Sequence, residues 1–297
     1  MAGTVNQAFY GSFFHTPVYG AFEYLENALI EVDDAGVIAR VLKNDDRDQP
    51  AVLEAHRAQG TLVELGENRY GLPGFVDVHV LYLWLEQRPF PLESKFADVD
   101  FARKVYANLV DQLTARGTTT VVYLGSAHLE SSIALAEICE KAGQRALVGK
   151  TVMDDPEANP DYYRDASPAQ AVADTATLIR ELESIGRGSR QGIWPVVTPR
   201  FIPSCTDEVL KGLGDLAAAH DVYVQTHCNE GQWEHDVVLE RFGKTDPYAL
   251  RDFGLLREHS IMAHCPYLTE EEGEMFAELG VSVAHCPMAN SYFSSAV

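Results

Sequence analysis

The sequence predicts an α/β protein: an incomplete (β/α)8 barrel of about seven strands, preceded by a small β-sheet unit. Three observations carry this. From residue 75 onward, apolar β-branched runs alternate with amphipathic stretches bearing helix caps and stops. The strand–helix unit recurs about seven times before Val297, one strand short of a closed barrel. Before residue 71 the rhythm differs, with short strands set apart by turn residues.

In the first segment, AFYGSFF (8–14), YLENALIEV (24–32), VIARVL (37–42) and TLVEL (61–65) read as strands, with DDAG (33–36) as a turn. GLPG (71–74) closes it, so the expected division is 1–72 for the small unit and 73–297 for the barrel. FVDVHV (75–80) is the first barrel strand. A helix over 98–116 carries Phe101, Val105 and Leu109 at helical spacing and stops at Gly117. TTTVVYLG (118–125) follows, then a helix over 130–142 ending at Gly143, then ALVGKTV (146–152). Ser167-Pro168 supplies a cap and first turn for a helix reaching about Ile185. IWPVVTPRF (193–201) is the fourth strand, 206–220 a helix, and DVYVQTH (221–227) the fifth strand. A less regular helical stretch spans 230–258, before SIMAHC (260–265). TEEE (269–272) is a capping box opening the next helix, and VSVAHC (281–286) the seventh strand. A doubly wound sheet is the alternative for such alternation. Its dinucleotide-binding form is disfavoured because no Gly-x-Gly-x-x-Gly follows the first strand.

Composition narrows the function classes. Forty-four acidic against 23 basic residues give a net charge of −21, which repels phosphate backbones and anionic lipid. The expectation is neither nucleic acid nor membrane as partner, but a small molecule. No basic segment followed by an apolar run opens the chain, and no apolar stretch is long enough to span a bilayer. The five cysteines are scattered with no Cys-x-x-Cys, which suits reduced thiols and a cytoplasmic location.

Polar residues gather where the strands end, which in a barrel is the catalytic face. Asp77 and His79 close the first strand, Arg200-Phe201 the fourth, His227 and Glu230 the fifth, His264 the sixth and His285 the seventh. One such histidine is more often a satisfied core residue; four at four strand ends point to a metal. Imidazoles converging with a carboxylate suit a catalytic zinc, and a non-ligating carboxylate such as Glu230 can carry the proton of water. His-Glu-x-x-His is absent, and no Pro-Cys-x-x-Cys partners the histidines, which excludes two common zinc-hydrolase patterns. Cys228, Cys265 and Cys286 each follow a histidine; strand alternation turns them to the opposite face, as packed thiols rather than ligands.

These residues resemble a known family. PGFVDVHV is similar to the first-strand signature of the amidohydrolase superfamily. WLEQRPFPLESKFADVDFARKVY, GTTTVVY, ALVGKTVMD, VTPRF, QTHCNE, MAHCPYL and VAHCPMAN together resemble the guanine deaminases, from about residue 8 to the last residue. The resemblance implies zinc-dependent hydrolysis of guanine to xanthine and ammonia, in a barrel flanked by a small β-sandwich of which residues 1–72 would be part. Residue by residue, it implies His79 and His227 as zinc ligands, Glu230 as proton carrier and His264 as a holder of water and substrate. Arg200 and Phe201 would bind guanine, and a homodimer is expected. His285 and Asn290 fall in a matching segment without an assigned role. The family strand reads His-x-His and continues into a substrate loop, whereas here Val80 is followed by Leu81 as though that loop were removed. The family's aspartate ligand also follows an eighth strand. With two of four expected ligands, the chain is expected to bind zinc weakly and to be impaired. The alternatives are an amidohydrolase acting on another aminopurine, a pterin or a triazine, and a non-catalytic partner of a full-length subunit.

Overall fold

The computed structural model describes residues 5–18, 21–66, 68–80, 89–189 and 191–293, with backbone alone at 76–80, 89, 292 and 293. The chain divides into two compact units, Met1–Gly74 and Phe75–Val297.

The first unit is a sheet built on β1 (Val5–His15), which pairs antiparallel with β2 (Glu23–Asp33). β3 (Ile38–Leu42) lies outside β2, while β4 (Leu62–Glu64) and β5 (Tyr70–Gly71) run parallel to β1 on its other edge. Ala8, Leu29 and Leu42 form one buried cluster and Phe13, Leu25 and Ala28 another. Between β3 and β4 stands a helix, α1 (Gln49–Gln59), where the sequence reading has strands and turns only. Pro50 sets its first turn, and Gly60, at φ 70°, ends it in the left-handed conformation that glycine adopts without steric penalty. Its buried residues are the polar Gln49 and His56, so the apolar period that announces a helix is faint.

The second unit carries seven parallel strand positions: β6 (Phe75–Val80), β7 (Thr118–Tyr123), β8 (Arg145–Val148), β10 (Ile193–Pro199), β11 (Tyr223–Cys228), β12 (Ser260–His264) and β13 (Ser282–Ala284). The short β9 (Thr151–Val152) also pairs with β10, past Gly149-Lys150. Strand order follows chain order without reversal. A doubly wound sheet reverses at a switch point, so the winding is that of a (β/α)8 barrel and the doubly wound alternative falls. Among the described residues the path runs from β6 to β13 without closing, an incomplete barrel.

Helices connect the strands: α2 (Pro89–Glu93), α3 (Val99–Ala115), α4 (Leu129–Ala142), α5 (Pro168–Gly186), α6 (Asp207–His220), α7 (Gln232–Phe242), α8 (Asp246–Asp252), α9 (Glu270–Leu279) and α10 (Pro287–Phe293). Their caps are local chemistry. Ser167 Oγ accepts from Gln170 N–H, Thr206 Oγ1 from Val209 N–H, and Thr269 with Glu272 closes a reciprocal capping box. In α3 the buried residues are Ala102, Tyr106 and Val110, one position on from the expected Phe101, Val105 and Leu109. The small Ala102 permits close approach while its larger neighbours flank the contact. The stretch at 230–258 resolves into α7 and α8, separated at Gly243, φ 66°. Two clusters make the core, one around Val209, Leu210, Leu213 and Leu250, the other around Val121, Leu135, Leu178 and Leu182.

Candidate active site at the strand ends

β11 is buried from Val224 to its end, and His227 stands at its next-to-last position with its backbone paired to β12. His264 ends β12. The imidazole rings stack with centroids 5.4 Å apart and an interplanar angle of 22°. Glu230 follows β11, and its Oε1 lies 3.6 Å from His264 Nε2. One ligand atom from each of His227, Glu230 and His264 lies within 4.8 Å of the others.

Each ring is oriented through its Nδ1. His227 Nδ1 is 2.5 Å from the Arg200 carbonyl oxygen. His264 Nδ1 is 3.0 Å from Asn290 Oδ1, and Asn290 Nδ2 donates to the His264 carbonyl at 3.3 Å. Anchoring one imidazole nitrogen on an oxygen fixes tautomer and ring plane, the arrangement that metal-binding histidines need. The residues present therefore fit a zinc ion in donor type and in orientation. Burial raises the Glu230 carboxyl above its ordinary value, against the lowering pull of His264 and Arg200. Asn229, His264 and Cys265 take left-handed backbone at φ 53°, 75° and 54°, unfavourable for residues with a Cβ.

Arg200 and Phe201 leave β10 beside this cluster. Phe201 meets the His227 ring edge-on at 6.4 Å between centroids, and Trp233, 61% exposed, leans on Phe201 at 6.1 Å. Arg200 is 1% exposed, and its guanidinium is held by Glu93. The structure thus brings together His227, Glu230, His264, Arg200 and Phe201 of the expected residues. His79 lies on β6 with its side chain outside the described residues, as does the chain just after Val80. His285 is exposed after β13 and stands apart from the cluster.

Two kinds of residue escape sequence reasoning. Asn290 lay in a matching segment, but its partner His264 is 26 positions away. Glu234 and Asp246 accept backbone N–H groups, from Glu230 at 2.7 Å and Asn229 at 3.0 Å, and such contacts leave no side-chain motif. Of the three cysteines expected as packed thiols, Cys228 and Cys265 lie in the core cluster, whereas Cys286 is half-buried outside it; elsewhere burial pushes the Cys205 thiol up to about 12.

The amidohydrolase family model matches residues 70–297. Guanine deaminase of Dictyostelium discoideum is 34% identical over 99% of this chain and 69% of its own length. That of Mus musculus is 34% identical over 97% of this chain and 66% of its own length. Among solved structures, guanine deaminase from C. acetobutylicum with bound guanine in its active site aligns at TM-score 0.82 and 29% identity, over 95% of this chain and 67% of that one. The E. coli enzyme aligns at TM-score 0.82 and 26% identity, over 98% and 70%. The chain belongs to the amidohydrolase family, enzymes that hydrolyse carbon–nitrogen bonds. Within that family it stands among the guanine deaminases, and it spans about two thirds of the length of the relatives it matches.

Proposed function

We propose that this site is built for hydrolytic deamination of guanine to xanthine and ammonia. The observation that supports it most is the convergence of His227, Glu230 and His264 beside the Arg200-Phe201 pair. His79 and His227 would hold zinc with His264 close by. Zinc held there would supply Lewis acidity and make water easier to deprotonate near neutral pH. The remaining work falls to side chains. Attack of water on the carbon bearing the amino group forms a C–O bond and breaks the C–N bond, and both protons of the water must move: one to the ring nitrogen, where it stays in xanthine, and one to the amino group, which leaves as ammonia. Glu230, its carboxyl raised by burial, is the group suited to carry each proton in turn. His264, fixed by Asn290, would steady water and substrate, Arg200 would donate to the purine carbonyl, and Phe201 would pack on the ring.

In the same reading Leu81 stands where the family brings its second histidine and substrate loop, so this chain binds zinc weakly and turns over slowly. The first unit is part of a small β-sandwich, and the protein works as a cytoplasmic homodimer in purine breakdown. Among the described residues no helix is long and apolar enough to cross a membrane.

The test is xanthine formation from guanine, followed by ultraviolet absorbance with added zinc. It is run on the 297-residue chain and on a chimera carrying the loop and remaining length of the Dictyostelium relative. Near-background activity in the first and turnover in the second is the expected pair. Normal turnover by the first would refute the impairment. A chimera inert on guanine but active on another aminopurine, a pterin or a triazine would move the site to that substrate class.

A further inference from the structure

We infer that Glu93 is a specificity-positioning residue, which clamps the Arg200 guanidinium so that its remaining donors address a purine carbonyl. The inference rests on the reading of Arg200 as carbonyl donor and adds the residue that aims it.

An arginine side chain has several rotatable bonds, and a buried guanidinium without a counter-charge is strongly unfavourable. Both problems are met by one short helix. Glu93 Oε2 accepts from Arg200 Nη1 at 2.8 Å and Glu93 Oε1 from Nη2 at 3.2 Å, a two-pronged carboxylate–guanidinium pair. Phe90, three residues earlier on α2, presents its ring to the same guanidinium, with Arg200 Cζ 5.1 Å from the ring centroid. The ring fixes the plane of the guanidinium and the carboxylate fixes its rotation within that plane. Nη1 also donates to Met153 Sδ at 3.7 Å, which leaves the second Nη2 N–H and the Nε N–H as the donors available to a ligand. Guanidinium carries five N–H donors in a rigid fork, and Glu93 takes one from each terminal nitrogen. The direction of the others is thereby set.

The two residues are buried to different degrees. The Arg200 side chain is 2% exposed and that of Glu93 18%, so the arginine is enclosed while the carboxylate reaches toward solvent. A purely structural ion pair would place no demand on which ligand binds. A positioning pair predicts that losing Glu93 harms ligands with a carbonyl opposite Arg200 and spares those without one. Guanine and 2-aminopurine separate the cases, because the second lacks the oxygen.

The experiment measures 2-aminopurine binding to the full chain by its fluorescence, and guanine binding by displacement of that signal. It compares wild type, Glu93→Ala, Glu93→Gln, Arg200→Met and the Glu93→Ala/Arg200→Met double variant. Wild type should prefer guanine. Glu93→Ala should cut that preference on the order of tenfold with 2-aminopurine affinity unchanged, and Glu93→Gln should fall between. Arg200→Met should abolish the preference, and adding Glu93→Ala to it should change nothing more. If Glu93→Ala keeps the wild-type preference while Arg200→Met loses it, the clamp is refuted and the reading of Arg200 stands. If Arg200→Met keeps the preference, or wild type has none, the reading of Arg200 fails and the clamp with it. Should circular dichroism show Glu93→Ala unfolded, Glu93→Gln decides: an unchanged preference there refutes the clamp.

Discussion

An imidazole can serve a metal or a proton only if its ring is held, and here a neighbouring oxygen does the holding. Asn290 is the clearest case, because it contacts His264 with both ends of its amide. Replacing it by alanine leaves a buried imidazole nitrogen without that partner, and Asn290→Ala should lower stability by about 1–3 kcal/mol in urea denaturation. Unchanged stability would mean that another group takes its place. At Glu230 the expectation concerns rate. In a turnover-competent chimera, Glu230→Gln should reduce kcat by roughly 10²–10⁴-fold while bound zinc, measured by metal analysis, stays constant. Loss of zinc instead would make Glu230 a ligand. At this scale the sequence displays the residues that would act and hides those that orient them. His227, Glu230 and His264 announce themselves by type and by place at strand ends, whereas Glu93, Glu234 and Asn290 matter through contacts that only folding creates.

The connection after β11 shows how a loop is fixed by buried acid. Glu234 accepts the Glu230 N–H and Asp246 the Asn229 N–H, and both carboxyls are buried. Burial first, then the charges of Asp246 and Glu230, raise Glu234 well above its ordinary 4.5. A carboxyl raised in the folded state gains proton affinity on folding. Its contribution is therefore most favourable below the unfolded value and declines as pH rises from there toward the folded one. Glu234→Gln keeps the acceptor and removes the titration. The melting temperature of the variant relative to wild type should rise as pH increases above about 5, and parallel profiles would refute the assignment. Helix α6 gives a packing test: a Cβ on Gly214 would lie 1.8 Å from the Phe253 carbonyl oxygen. Gly214→Ala should cost about 1–3 kcal/mol in urea denaturation, since backbone must move to admit it. Elements were legible where the signal is local. Ser167-Pro168, Thr206 and Thr269-Glu272 mark helix starts that the structure keeps, whereas α1 hides because it buries a glutamine and a histidine.

At the scale of the whole molecule, the parallel sheet has two ends and a middle. β10 and β11 are paired on both sides, whereas β6 and β13 are each paired on one among the described residues. Amide hydrogen exchange should therefore be slowest in β10 and β11 and faster in β13, where the last strand has only three residues. Equal protection across the sheet would mean that β13 has a second partner. The barrel winding was legible from the count and alternation of strands, because parallel strands joined by helices leave a repeating apolar pattern.

The match between strand order and chain order also has a consequence for how the protein is made. Along the main path of the sheet each strand from β7 onward pairs with one synthesised earlier, the two-residue β9 with its partner β10 being the exception, so a strand emerging from a ribosome finds its template already waiting. Among the described residues the sheet can grow by addition at one margin, in the direction of translation.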